Sequence, residues 1–359
     1  MTAASTRRRT GFHTLTVAGV RRLCDDAVAV TFDVPAELAP AYEFRAGQSL
    51  TLRRTIDGRE ERRSYSICAP AGAKPRIGVR EVPGGLFSSW LVREVRAGDE
   101  IDVAAPSGTF CPDADEAGHH VLIAAGSGIT PVLSIAATVL GNPNATATVF
   151  YGNRRTDTVM FADELADLKD RYPERLELVH VLSREPREAE LFTGRLDRDK
   201  LEALRRLLPE AERVDHWWLC GPFGMVTDAQ DVLRGWGVAE KRVHQELFYV
   251  DDVPPEPVRH VDPGVEGPSS ALTVVLDGRS TSVEIGYDTT VLDGAQKVRP
   301  DLPFACKGGV CGTCRAKVVT GKADLRRNFA LEQSELDAGF VLTCQSFPAS
   351  DELTVDYDS

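Results

Sequence analysis

The chain has 359 residues, 42% of them hydrophobic and 27% charged, with a formal net charge of −12. That length suffices for two or three domains, each with its own core, and the acidic balance argues against a nucleic-acid binder, which would show a basic face. No apolar run approaches the roughly 18–20 residues that cross a bilayer, so no membrane partner is expected either.

The start, MTAASTRRRTGFH, has three arginines but no apolar segment behind them, so it does not read as a secretory signal. Residues 1–11 are predicted to be a disordered tail, and the protein is expected to be cytoplasmic, where thiols stay reduced. Eight cysteines in the whole chain are too sparse for a disulfide scaffold. Residues 12–112 carry short alternating runs (FHTLTVAGV, AVAVTFDV, SLTLRR, RSYSICA, RIGVREV, EIDVAA) separated by turn residues, the pattern of an antiparallel β-barrel. Residues 113–249 change style. Strand-like HHVLIAAG, TATVFYG, LELVHVLS and DHWWLCGP alternate with helix-like TPVLSIAATVLG, FADELADLKDRY, DRDKLEALRRLL and GMVTDAQDVLRGWG. That alternation predicts an α/β domain with a parallel sheet covered on both faces. Residues 250–269, rich in Pro, Gly and acids, predict an extended linker that lets the last domain move. Residues 270–359 are long enough for a small third domain.

In the second segment, AAGSGITP joins the first strand to the first helix. Gly126 and Gly128 permit a sharp turn and close approach of a ligand, Pro131 suits the first helical turn, and the free amides there favour a phosphate. A plain strand-to-helix turn would use the same residues. The next two strands end in Arg154–Arg155 and in Ser183–Arg184. Arginines at these carboxyl ends suit the extra phosphate of NADPH, whereas a site for NADH usually has an acid on the ribose. NADPH is therefore expected, with NADH possible. The fourth strand ends in Cys220, Gly221 and Pro222, at the edge where ligands bind. On the barrel, alternation along RRSYS places Arg63 and Tyr65 on one face, and Ser64 and Ser66 on the other. An arginine forks onto a pyrophosphate and a tyrosine stacks on a flat ring.

Near the end, CKGGVCGTC places Cys306, Cys311 and Cys314 in nine residues, and Cys344 follows after 29 more. C-x4-C-x2-C with a distant fourth cysteine is the plant-type 2Fe–2S ligand pattern. Four thiolates suit a two-iron core, and glycines bring backbone N–H groups towards sulfur. Zinc is the main rival, although its structural sites more often pair two C-x2-C knuckles. A redox pair of Cys311 and Cys314 would leave two cysteines idle. Cys24, Cys68 and Cys111 have no telling spacing and read as structural; His119 and His120 read as the start of a strand.

Barrel with R-x-Y-S, sheet with G-x-G-x-T-P, then C-G-P: this order resembles the ferredoxin–NADP reductase superfamily over residues 12–248. The resemblance implies FAD on the barrel and NAD(P)H on the sheet. It implies that Arg63, Gly85 and Ser88 (the last two in GLFS) hold the FAD pyrophosphate. Tyr65 would stack on the isoalloxazine, Ser66 would lie near its reactive nitrogen, and Thr130 would reach it from the second domain. Cys220 would stand beside the nicotinamide, and Glu246 and Phe248 in QELF would be the acid and aromatic near the flavin. Residues 270–359 resemble the plant-type ferredoxin (β-grasp, α+β) fold, which implies Cys306, Cys311, Cys314 and Cys344 as ligands of a 2Fe–2S cluster. Ala316 stands where relatives often have a further cysteine that is not a ligand.

The order flavin, nucleotide, ferredoxin resembles the reductases of multicomponent oxygenases. Among these, the chain resembles the reductase components of phenylacetyl-CoA epoxidases, a likeness carried by FHTLTVAGV, AYEFRAGQSLTL, AAGSGITPVLSI, YGNR, ACKGGVCGTC and NFALEQSELDAGFVLTCQSFP. That likeness implies electron delivery to a separate di-iron oxygenase component. The predicted helices carry no Glu-x-x-His pairs for such a centre. Reductases of Rieske-type ketosteroid hydroxylases have the same layout and are the second expectation. A non-catalytic electron carrier or redox sensor is the third, disfavoured by the full flavin and nucleotide motifs.

Overall fold

The computed structural model describes residues 11–56, 58–113, 117–248 and 268–359. The expected tail and linker lie outside these residues, except for Gly11, Pro268 and Ser269. Two compact units form, one built mainly on residues 14–248 and the other on 268–359.

The first unit opens with an antiparallel six-stranded sheet of β1 (Phe12–Cys24), β2 (Ala27–Asp33), β3 (Ser49–Ile56), β4 (Arg59–Ser66), β5 (Arg76–Arg80) and β6 (Glu100–Ala104). The strand order is β4-β3-β6-β1-β2-β5. Alternating side chains send Leu15, Val17, Val30, Phe32, Leu50, Leu52 and Ile77 into one core. Each such buried side chain contributes roughly 1.5–3 kcal/mol over leaving it in water. The sequence pattern does not reveal one element here, helix α1 (Leu86–Arg93). The expected GLFS motif forms its first turn, and Phe87, Leu91 and Val92 bury its inner face.

The parallel sheet follows, with β7 (Gly118–Ala125), α2 (Ile129–Val139), β8 (Ala145–Asn153), α3 (Ala162–Arg171), β9 (Leu176–Leu182), α4 (Arg198–Leu204), β10 (His216–Gly221), α5 (Phe223–Gly235) and β11 (Val243–Leu247). Strand order is β11-β10-β7-β8-β9. The apolar run of β7 fits a strand covered on both faces, and α2 is buried along nearly its whole length. Helix α3 has Asp163 and Glu164 in its first turn and Lys169 and Arg171 in its last, the arrangement that complements its dipole. The barrel and this sheet meet at Gly78. A Cβ there would stand 2.5 Å from Thr130 Cγ2 and 2.9 Å from the Phe161 ring, so only a bare backbone fits. Arg76 adds a bidentate ion pair to Glu164 of α3, at 2.6 and 3.2 Å. His119 and His120 open β7 as expected, and His120 is fully buried, its ring stacked with those of His216 and Trp218.

The second unit is a five-stranded mixed sheet of β12 (Ser269–Leu276), β13 (Arg279–Gly286), β14 (Arg315–Thr320), β16 (Phe340–Leu342) and β18 (Glu352–Asp356), in the order β13-β12-β18-β14-β16. Strands β15 (Ala323–Leu325) and β17 (Ser346–Pro348) pair separately, and helices α6 (Val291–Gln296) and α7 (Gln333–Asp337) complete the unit. Asp277 and Gly278, both at positive φ, turn the β12–β13 hairpin. Asp358 accepts both of their N–H groups at 2.8 Å. Thr290 caps α6, accepting from the Asp293 N–H at 3.1 Å. Among the described residues no helix is long and apolar enough to cross a membrane.

Candidate functional site

At the carboxyl edge of the parallel sheet, the β7–α2 turn carries Gly126 at φ +56° and Gly128. A Cβ on Gly128 would stand 2.1 Å from the Cys220 carbonyl oxygen, so glycine alone lets the turn lie against β10. Tyr151 donates its hydroxyl to the Gly126 carbonyl at 3.0 Å and fixes the turn from below. Thr130 is buried and donates to the Ser127 carbonyl at 2.9 Å. Cys220 is fully buried, with its thiol held neutral by burial and by the nearby Glu246 charge. Gly221 leaves room for Met225, and Pro222 caps α5.

Cys220 pairs in register with Glu246 on β11. Glu246 in turn accepts a 2.7 Å hydrogen bond from the buried Ser66 hydroxyl on the barrel. Burial pushes the Glu246 carboxyl up to about 7, against the pull of that hydroxyl. Two residues 180 positions apart thus form a proton-holding pair beside a buried thiol. Tyr65 is half-buried against the barrel core, 6.2 Å from the Phe87 ring. Arg63, also on β4, is exposed, and its guanidinium donates to the Arg62 carbonyl at 2.7 Å. Phe248, just past β11, is exposed. Gly85 caps α1, where a Cβ would stand 2.6 Å from Ser88 Oγ. Ser88 is buried and accepts from the Val82 N–H at 3.1 Å. Such a bare helix start, a cradle that any Cβ would fill, fits the pyrophosphate of a flavin nucleotide.

At the ends of β8 and β9, Ser183 donates its peptide N–H to the Asn153 carbonyl at 2.9 Å, and Arg184 to the Arg154 carbonyl at 2.8 Å. The two arginines leave adjacent strands side by side. The Arg154 guanidinium is paired with Asp26 of the barrel at 3.2 Å. Sequence reading passes over Asn153, whose side-chain amide is buried and lacks any hydrogen-bond partner among the described residues. Only the position of Asn153, last on its strand, could have drawn attention to it. Cys111, structural by its sequence spacing, has a thiol pushed up to about 12. Burial is the first cause, opposed by the Arg45 charge and aided by those of Glu246 and Asp113.

In the second unit, the loop from 306 to 314 turns at Lys307, Gly309 and Gly312, all at positive φ. Lys307 holds this unusual conformation while its ammonium binds Asp293 at 2.7 Å and Gln296 at 3.0 Å. The four expected ligands meet as two pairs, Cys306 with Cys311 and Cys314 with Cys344. Contact with Cys311 and the N–H groups of Gly308, Val310 and Cys311 pull the Cys306 thiol below its ordinary range, so a thiolate is favoured there. The Cys314 carbonyl accepts the Thr343 hydroxyl at 2.9 Å, and Tyr357 donates to that hydroxyl at 2.8 Å, which pins the segment of Cys344 to the loop. No three His, Cys, Asp or Glu side chains among the described residues form a site for one metal ion. The clustered thiols and inward N–H groups fit a two-iron core, which Cys306, Cys311, Cys314 and Cys344 would hold.

A flavin cradle, a nucleotide turn and a thiol loop on one chain define an iron–sulfur flavoprotein reductase. Three family models match the same stretches: an oxidoreductase FAD-binding domain over residues 14–111, an oxidoreductase NAD-binding domain over 122–231, and a 2Fe-2S iron-sulfur cluster binding domain over 274–349. The chain belongs to the family of three-domain oxygenase reductases that includes a component of the 1,2-phenylacetyl-CoA epoxidase of Escherichia coli (strain K12). It is 41% identical to that protein over 355 residues, 98% of this chain and 99% of the other. The ferredoxin reductase component of 3-ketosteroid-9-alpha-monooxygenase from Mycobacterium tuberculosis (strain CDC 1551 / Oshkosh) is 34% identical, over 96% of this chain and 95% of its own. Phthalate dioxygenase reductase, described as a modular structure for electron transfer from pyridine nucleotides to [2Fe-2S], has the same fold. It aligns with TM-score 0.59 and 24% identity over 96% of this chain and 98% of that one. The expected antiparallel barrel, parallel α/β sheet and ferredoxin domain are thus all present, and the chain is an NAD(P)H-type oxidoreductase whose relatives serve oxygenases.

Proposed function

We propose that this chain is the cytoplasmic reductase component of a di-iron oxygenase acting on phenylacetyl-CoA, with NADPH as its electron donor. The partner rests on one observation, the end-to-end identity with the epoxidase component, 41% against 34% for the steroid monooxygenase reductase. The domain layout is the one read from the sequence: 12–112 for FAD, 113–249 for the nucleotide, 250–269 as linker and 270–359 for the cluster.

Bound FAD and a bound 2Fe–2S cluster would supply the conversion of a hydride's electron pair into single electrons. The side chains bind, orient and move protons. Arg63, Gly85 and Ser88 hold the flavin pyrophosphate, while Tyr65 and Thr130 border its ring. Gly126, Gly128, Ser183, Arg184 and Arg154 line the nucleotide edge, and Gly221 and Pro222 leave the nicotinamide close access beside the neutral Cys220. Glu246, poised near neutrality, holds a proton that the hydrogen-bonded Ser66 hydroxyl would relay to the flavin side. Phe248 is the aromatic at the end of that strand. Cys306, Cys311, Cys314 and Cys344 are the iron ligands.

The test mixes the loaded protein with NADPH, phenylacetyl-CoA and the oxygenase components of a phenylacetyl-CoA epoxidase. Epoxide formation that requires this chain is expected. No product, while NADPH still reduces ferricyanide, overturns the partner and turns to the second reading, a Rieske-type ketosteroid hydroxylase, which the 34% full-length identity favours next.

A further inference from the structure

We propose that Asp26 sets the coenzyme preference of this chain by holding the Arg154 guanidinium away from the phosphate on the nucleotide ribose. The inference rests on the reading of this sheet edge as a pyridine-nucleotide site.

Asp26 sits in the turn between β1 and β2, on the barrel, and its carboxylate faces two arginines. One oxygen pairs with Arg80 Nε at 3.2 Å and the other with Arg154 Nη2 at 3.2 Å. The two arginines are held very differently. Arg80 is largely buried and also donates to the Thr158 carbonyl and to Cys24 Sγ. Its other guanidinium nitrogen lies 3.4 Å from where a Cβ on Gly126 would be, under the nucleotide turn. Arg154 is about half exposed, and among the described residues Asp26 is the sole ion-pair partner of its guanidinium. Its neighbour Arg184 has an exposed guanidinium with no ion pair or hydrogen bond among the described residues.

A ribose 2′-phosphate is a dianion that recruits guanidinium groups by charge-assisted bonds. To reach it, Arg154 must leave Asp26 or bring that carboxylate's repulsion with it. Arg184 meets neither obstacle. NADH lacks the phosphate, so Asp26 costs its binding nothing. Asp26 therefore narrows the margin of NADPH over NADH, leaving Arg184 as the main reader of the phosphate.

Calorimetric titration of the loaded full-length protein with 2′,5′-ADP and with 5′-AMP tests this without turnover. Asp26→Asn is expected to tighten 2′,5′-ADP about five-fold, the size an exposed ion pair carries, and to leave 5′-AMP unchanged. The gain should vanish in Asp26→Asn/Arg154→Ala. Arg80 keeps its Thr158 anchor, so the Asn variant retains its packing; Asp26→Ser gives a second variant with the same expected direction. An unchanged ratio of the two ligands, equal weakening of both, or a gain that persists in Asp26→Asn/Arg154→Ala would each overturn the proposal, as would failure of any variant to bind 2′,5′-ADP. Absence of turnover with either coenzyme would instead overturn the reductase reading, and the ligand ratio would still judge Asp26.

Discussion

In the thiol loop, three of the four expected ligands come from nine consecutive residues, and the segment of the fourth is tied to that loop by the neighbouring Thr343 hydroxyl, which donates to the Cys314 carbonyl and accepts from Tyr357. On the flavin and nucleotide edge, Ser66 meets Glu246 across 180 positions, and Gly128 meets Cys220 across 92 (220 − 128). The first region is made by local turns, the second by packing a barrel against a parallel sheet. Damage should therefore stay local in the first and spread in the second.

The largest effect is expected in the loop. Cys311→Ser should abolish the cluster's visible absorbance and drop NADPH-driven reduction of cytochrome c to background. Reduction of ferricyanide, which needs only the first unit, should persist. Retained cytochrome c reduction would break the assignment of the thiol loop as the one-electron exit.

Gly128→Ala is the counterpart on the other side. The added Cβ would meet backbone atoms of β10 at 2.1 and 2.5 Å, and neither can rotate away. Overpacking of this kind costs roughly 1–3 kcal/mol or more. A lower Tm for the first unit and loss of ferricyanide reduction are expected, while cluster absorbance stays intact. Loss of both chromophores together would show that the two regions do not fail separately.

Glu246→Gln removes the proton-holding carboxyl while keeping its shape. Positioned general acids and bases contribute typically 10²–10⁴-fold, so a fall in kcat of about a hundred-fold is expected. The limb of the pH–rate profile near 7 should flatten. Stability responds too. The folded carboxyl holds its proton above the unfolded value of 4.5, so the unfolded chain releases the proton first as pH rises. Stability contributed by the protonated form is present below about 4.5 and is lost as pH climbs to about 7. The Gln variant should lose that slope, as a melting series in pH would read. An unchanged profile would reduce Glu246 to packing.

The same contrast decides what could be read from the sequence. Strand and helix order was legible from period alone, because β7, β8 and β10 are apolar runs and α3 is amphipathic. Helix α1 was not, since eight residues behind a glycine pair give little period to read. The thiol loop was legible from spacing, which for a local loop is nearly geometry itself. The Ser66–Glu246 pair was not: nothing in RRSYS or QELF reveals a partner 180 residues away, and only family resemblance connected them. Asp26, Arg80 and Asn153 stayed unread for the same reason. A turn aspartate, a strand arginine and a terminal asparagine acquire meaning only when the barrel and the sheet are packed together.

Arg184→Ala carries the smallest expected effect and the sharpest one on coenzyme choice. Its guanidinium is exposed and unpaired among the described residues, so its removal should cost no stability. A guanidinium facing a phosphate in a solvent-exposed setting contributes on the order of 1–2 kcal/mol, about ten-fold in affinity. The kcat/KM for NADPH should fall by that factor through KM, with kcat held, because the contact is equal in ground and transition states. The NADH value should not move. Equal loss with both coenzymes would place Arg184 on a feature that they share. The arginines at the ends of β8 and β9 would then guide the nucleotide in without reading its phosphate.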